Sequence, residues 1–167
     1  MVQALILRSA LKNFLLSKSE TAQLINQVAS VWPQGIFPKV KSVKVYEIEQ
    51  DKRLLFAGEM VAVQVGNIIV PFLGKAEELH RFPSVTIDMG AIKFVCKGAK
   101  VMRPGIMLFD SFKKGDIVVV KDEKHGKAVA VGLALEDSEA AKEMPKGSVI
   151  DNLHYVSDKI WKAYKYI

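Results

Sequence analysis

Apolar residues recur along this chain with two different periods. Leu24, Ile25, Val28, Val31 and Trp32 fall on one face of a helix predicted over residues 21–32. Ser17 and Glu20 precede them at the spacing of a capping box, in which each side chain satisfies a backbone N–H of the other residue. Pro33, Gly35 and Pro38 predict the end of that helix. From residue 43 the runs shorten to strand length, at 43–49, 53–56, 60–65 and 68–72. Gly66-Asn67 lies between the last two as a hairpin turn, because both residue types tolerate positive φ. Residues 74–80 read as a short, charged helical turn. Together these elements predict a small α+β unit over residues 1–83.

The pattern changes after residue 84. Residues 85–88 read as a strand and 89–97 as a short helix, with Asp88 as its N-cap and Gly98 just past its end. Arg103-Pro104-Gly105 separates Val101-Met102 from a strand at 106–109. Gly115-Asp116 turns into the β-branched run 117–120, and strands at 127–135 and 149–155 close the series. Short strands with glycine turns predict a small closed β-barrel, so the fold class is α+β throughout. A last helix carries Ile160, Trp161, Tyr164 and Ile167 on one face and Lys159, Lys162 and Lys165 on another. This pattern predicts that Trp161 and Tyr164 pack on the barrel while the lysines face water.

Composition narrows the class. Half of the 167 residues are apolar and a quarter are charged, which excludes a disordered chain and suits one domain or two small ones. The most apolar stretch, residues 60–73, is too short to span a bilayer and is broken by Gln64, Gly66, Asn67 and Pro71. Residues 1–16 begin apolar but lack the basic lead and cleavage site of a secretory signal, so a cytoplasmic protein without membrane contact is expected. Cys96 is the single cysteine, which excludes an intramolecular disulfide and a CxxC zinc knuckle. The net charge of +6 is unevenly spread. Residues 93–127 hold nine basic and four acidic side chains, whereas residues 136–158 hold two and six. Such segregation is the electrostatic footprint of a polyanion-binding face, and it is equally the composition of an ordinary solvated surface.

Catalytic constellations are scarce. No GxxxxGK loop and no GxG exists, and His80, His125 and His154 have no metal-ligand spacing. Cys96 lies in an apolar helical run, which suits an inert thiol. Glu47, Glu49 and Asp51 share a strand face, but Lys44, Lys52 and Arg53 neutralise them, giving an ion-paired edge strand. Asp88 and Asp158 read as helix caps. The chain therefore reads as a non-enzyme with no cofactor, no metal and no small-molecule substrate.

What stands out is the stretch from Gly98 to Ile106. Its glycines permit close backbone approach to a ligand. Lys93 and Lys97, four apart on the preceding helix, approach Lys100 and Arg103, and a guanidinium holds phosphate bidentately or stacks on a base. A glycine-lined concavity between such cations suits a sugar-phosphate backbone or splayed RNA bases.

The ordered set Asp88-Met89-Gly90-Ala91, Gly98-Ala99, Val101-Met102-Arg103-Pro104-Gly105-Ile106, Gly115-Asp116, Val131-Gly132 and Lys146-Gly147 resembles the PUA domain. That domain is an RNA-binding pseudo-barrel named for pseudouridine synthases and archaeosine transglycosylases. The resemblance covers residues 84 to about 160. Residues 87–95, together with Asp151-Asn152-Leu153-His154-Tyr155, Asp158 and Trp161, resemble the malignant T-cell amplified sequence family and its archaeal homologues. The N-terminal unit resembles that family in pattern. The resemblance implies a pre-PUA-like domain at 1–83 and a PUA domain with its C-terminal helix at 84–167.

It further implies non-catalytic binding of tRNA or small-subunit rRNA in translation initiation, reinitiation or ribosome recycling. The small ribosomal subunit and a partner like density-regulated protein are the implied associates. The implied RNA surface comprises Lys93, Lys97, Gly98, Ala99, Lys100, Met102, Arg103, Pro104 and Gly105. Lys97, Lys100 and Arg103 are its expected phosphate contacts, and Met102 is a packing residue at its edge. Two other roles remain open at this level: an RNA-targeting specificity subunit for a separate modification enzyme, and a protein-interaction scaffold.

Overall fold

A computed structural model describes residues 11–167; the N-terminal run at 1–10 lies outside the described residues. Strands β1 (Asn13–Leu15), β2 (Lys44–Glu49), β3 (Lys52–Ala57), β4 (Met60–Val65) and β5 (Ile68–Pro71) form an antiparallel sheet in sequence order. Helix α1 (Lys18–Ala29) packs Leu24 and Val28 into its core. The capping box is made: the Ser17 hydroxyl accepts from the Glu20 N–H at 3.2 Å, and the Glu20 carboxylate accepts from the Ser17 N–H at 2.8 Å. α1 stops three residues short of the predicted end, because Pro33 steers Trp32 away from helical backbone. Trp32 is still buried, its Nε1–H donating to the Ile69 carbonyl at 2.8 Å between Phe37 and Phe82. Val31 is left 43% exposed in the turn rather than on the buried face.

β2 is not the edge strand its charges predict, because β1 pairs along its outer side. The expected ion pairing is present. Glu47 meets Arg53 at 3.3 Å and Lys12 at 3.7 Å, and Glu49 meets both Lys52 and Lys159 at 2.8 Å. Hydrogen bonds from Lys159 and Lys52 pull the Glu49 carboxyl down to about 2.

After helix α2 (Ala76–Leu79), six strands form the second sheet: β6 (Ser84–Ile87), β7 (Val101–Met102), β8 (Ile106–Phe109), β9 (Ile117–Asp122), β10 (Ala128–Ala134) and β11 (Ser148–Tyr155). Their order is β7-β11-β10-β9-β6-β8, with β6 and β9 parallel and the other pairs antiparallel, so the sheet curls into a nearly closed pseudo-barrel. Helices α3 (Met89–Val95), α4 (Ser138–Glu143) and α5 (Lys159–Tyr164) complete the chain. Among the described residues no helix is long and apolar enough to cross a membrane.

β9 explains why residues 117–120 are uninterruptedly β-branched. Val118 and Val120 point into the barrel core, whereas Ile117 and Val119 join the core of the first sheet. A strand buried on both faces has no polar side to alternate with. β10 follows suit, with Ala130 in the barrel core and Val131 in the other.

Helix α5 departs from expectation. Trp161 and Tyr164 do not pack on the barrel. They sit against Phe72, with ring centroids 5.8 and 4.4 Å away, and Tyr164 also lies 6.2 Å from the nearly parallel ring of Phe56. Its apolar stripe thus covers the first sheet, with Ile160 buried in that sheet's core. Lys159 reaches Glu49 rather than only water.

A buried histidine fastens this junction. The Leu73 N–H donates to His154 Nε2 at 3.3 Å, which places the imidazole proton on Nδ1, and Nδ1–H donates to Asp158 at 2.7 Å. Asp158 is also the N-cap of α5, accepting from the Trp161 N–H at 2.7 Å and the Tyr155 N–H at 3.0 Å. Burial pushes the Asp158 carboxyl up, but these donors, His154 first among them, outweigh it and hold it below the usual carboxylate range.

Candidate nucleic-acid interface

The site is assembled around the C-terminal end of α3. Asp88 starts the helix by accepting from the Ala91 N–H at 2.8 Å, as its position predicts. At the other end the Ala99 N–H reaches the Phe94 carbonyl and the Gly98 N–H reaches that of Val95, the paired bonds of a Schellman turn. Gly98 sits at φ +97° within this turn, and a Cβ there would lie 3.3 Å from the Tyr155 ring. Both conformation and space therefore call for glycine. Asn152, on β11, secures the turn from beneath: its Nδ2 donates to the carbonyls of Val95 at 2.9 Å and Ala99 at 3.0 Å.

Opposite, β7 leads into a 3₁₀ turn at Arg103–Gly105. The Gly105 carbonyl accepts from the Asp88 N–H at 2.9 Å, and a Cβ on Gly105 would stand 2.9 Å from that of Ala91. A hollow of about 310 Å³ lies between α3 and β7, lined by Phe94, Ala99, Lys100, Met102 and Gly105 among others. Lys93 is exposed on α3, which ends two residues before the predicted limit, and Lys97 and Lys100 are exposed on the turn that follows. Phe94 is 58% exposed among them, with the Lys93 ammonium 5.2 Å from its ring centroid. The arrangement offers a flat apolar surface for a base and cations for the adjoining phosphates.

Of the nine expected residues, Ala99, Lys100, Met102 and Gly105 line the hollow, and Lys93, Lys97, Gly98, Arg103 and Pro104 do not. Pro104 is exposed at the middle of the 3₁₀ turn. Arg103, expected to hold phosphate, instead donates to the carbonyls of Ile106 at 3.1 Å and Lys142 at 3.3 Å and lies 5.0 Å from the Phe109 ring centroid. Its guanidinium ties α4 to the mouth of β8 through one bond from each Nη, while its buried Nε–H has no partner among the described residues. Met102 lines the hollow at 48% exposure, with its sulfur 3.4 Å from the Ser148 hydroxyl. Among the described residues no group of three His, Cys, Asp or Glu side chains is placed to hold a metal ion.

The PUA domain model matches residues 83–156, the span of the pseudo-barrel. The chain is 36% identical to an uncharacterized protein of Methanocaldococcus jannaschii over 90% of its own length and 95% of the relative's. It is 31% identical to human malignant T-cell-amplified sequence 2 over 89% and 88%. The chain belongs to the malignant T-cell-amplified sequence family. Another relative, translation machinery-associated protein 20 of Saccharomyces cerevisiae, is 29% identical over 92% of this chain and 91% of its own. Among solved structures, a hypothetical protein of Pyrococcus horikoshii aligns at TM-score 0.74 with 29% identity, covering 90% of this chain and 98% of that one. A PUA domain structure from Aeropyrum pernix aligns at 0.70 with 25% identity, covering 92% and 91%.

In this malignant T-cell-amplified sequence relative, two residues of the candidate site carry little signal in the sequence pattern. Phe94 reads as one more apolar residue of a helix, yet it follows Lys93 directly and stands three positions before Lys97, about 100° around the helix from buried Val95. An aromatic on the lysine face was the available signal. Asn152 carries no local signal, since its partners lie more than fifty residues away. Gly98→Ala is expected to destabilise the fold by about 1–2 kcal/mol, the cost of left-handed backbone for an L-residue. A loss of unfolding free energy in urea below half of that would show that the turn relaxes.

Proposed function

We propose that this protein is a non-catalytic RNA-binding factor of translation, docking on tRNA or small-subunit rRNA through the hollow between α3, the Gly98 turn and β7. The observation that carries the reading is the exposed Phe94 ring set among Lys93, Lys97 and Lys100, on a backbone turn held rigid by Asn152 and Gly98. The lysines draw in the phosphate backbone and fix its position, a contribution independent of sequence. Phe94 takes an unstacked base, and the apolar floor of Ala99 and Met102 excludes water beneath it. The PUA match supports RNA as the ligand, and the names of the yeast and human relatives support a place in translation. Partners on the small ribosomal subunit, including a protein like density-regulated protein, fit the same reading.

The test is a titration of the protein against total tRNA, purified small ribosomal subunits and an unrelated RNA duplex at two salt concentrations. Preference for tRNA or the subunit is the expected result, and equal, weak binding to all three would overturn the reading. Replacing Lys93, Lys97 and Lys100 together by alanine should flatten the slope of log affinity against log salt by about 2, because three fewer counterions are released from a single strand. An unaltered slope would place the electrostatic contact elsewhere.

A further inference from the structure

A second surface combines aromatic rings with unneutralised cations, on the opposite unit of the molecule. The antiparallel register sets Lys44 across from Phe56, and Tyr46 lies two residues along on the same face of the first sheet. Helix α5 crosses this face. Between the helix and the strands runs an open groove of about 680 Å³, lined by Lys44, Tyr46, Phe56, Tyr164, Lys165 and Ile167. Tyr46 meets Phe56 edge to face at 5.5 Å, and Phe56 lies nearly parallel to Tyr164, which Phe72 supports from below at 4.4 Å. The rings are thus held in place but remain partly open to solvent.

The charge of the groove is one-sided. Its lining carries two lysines and no acidic side chain. The carboxylates on the same strand are engaged by other cations: Glu47 by Arg53 and Lys12, Glu49 by Lys52 and Lys159. Among the described residues neither Lys44 nor Lys165 has an ion-pair partner. The Lys44 ammonium rests 5.8 Å from the Tyr46 ring centroid.

We propose that this groove is a second RNA-contact surface, which takes unpaired bases on Tyr46 and Phe56 and the adjoining phosphates on Lys44 and Lys165. The inference rests on the RNA-binding reading above and extends it to the N-terminal unit. Aromatic platforms beside cations bind single strands because every base has a stacking face. An extended acidic peptide fits less well, since β2 is paired on both sides and offers no free strand edge to add to. The two surfaces are also linked along the chain. Tyr155, which abuts the Gly98 turn, leads through the Asp158 cap directly into α5 and Lys165. Chain length limits their separation to roughly 25 Å, within reach of one RNA strand.

The experiment measures fluorescence anisotropy of a labelled oligouridine, the corresponding abasic strand and an RNA duplex with the full chain and its variants. Tyr46→Ala should weaken oligouridine binding about tenfold and leave the abasic strand and the duplex unchanged. Tyr46→Phe keeps the ring and should bind as wild type, which separates lost stacking from lost folding. Lys44→Ala with Lys165→Ala should reduce the salt slope by about 1. Wild-type affinity in the groove variants, alongside weakened binding when Lys93, Lys97 and Lys100 are replaced, would overturn the groove and leave the first interface standing. No RNA binding by the wild type would overturn both. Binding of a glutamate-rich peptide that is lost in Tyr46→Ala, with RNA binding unaffected, would replace this proposal with an acidic protein partner.

Discussion

Alanine at Gly132 is expected to cost about 3 kcal/mol of folding stability, the upper end of what overpacking costs. Its Cβ would be driven into the Asp151 carbonyl oxygen and would stand 2.9 Å from a methyl of Ile150, so the obstruction is mostly backbone and cannot swing aside. The position matters because β11 carries an extra residue opposite it. Val131 pairs with His154 but Gly132 pairs with Asn152, leaving Leu153 as a bulge. Without that bulge Asn152 and His154 would share a face. With it, Asn152 reaches the Gly98 turn while His154 turns the other way to Leu73. Gly132→Ala should therefore loosen both attachments at once. Urea denaturation gives the measurement, with Gly126→Ala as the comparison, since Gly126 has positive φ but open space around it. If the two variants lose the same stability, close packing at Gly132 is not what the strand requires.

Removing the Asp158 side chain should have an effect of similar size. Asp158→Ala strips the N-cap of α5, worth about 1 kcal/mol, and leaves the buried Nδ1–H of His154 without an acceptor, worth about 1–3 kcal/mol more. The expected loss is about 2–4 kcal/mol. Asp158→Asn retains an acceptor oxygen and should lose much less at neutral pH. The pH dependence follows from the depressed carboxyl. Its stabilisation is complete above the unfolded-state value near ~3.9 and disappears as pH falls through the lower folded value. The stability difference between wild type and Asp158→Asn should accordingly shrink in acid below about pH 4. A difference constant across that range would remove the carboxylate's charge from the junction.

What the sequence made legible was what depends on near neighbours. The capping box at Ser17, the turn at Gly66, the Asp88 cap and the glycine past α3 are each decided within a few residues, and each forms where the pattern puts it. Strand β1 has only three residues and no alternation of its own, so its pairing with β2 left no trace in the pattern. Helix α4 is short and polar-faced and was equally silent. Arg103 shows the limit most clearly for the site. Its residue type suits phosphate, and nothing local shows that two backbone carbonyls, one of them on residue 142, engage two of its donors. The apolar stripe of α5 was readable as a stripe. Which surface it covers depended on the arrangement of both sheets, which no local period encodes.

The two-faced wall of β9 and β10 bears on how such a barrel can be passed between proteins. Cut free at residue 83, residues 84–167 would carry Ile117, Val119 and Val131 into water on one side, together with the Trp161 stripe of α5. An exposed apolar area of that kind invites self-association. Any lineage that grafts this barrel onto another protein must supply a new cover for that wall or redecorate it with polar side chains. The sheet beneath α5 is under the same obligation in reverse, so the two halves of the chain are bound to drift together.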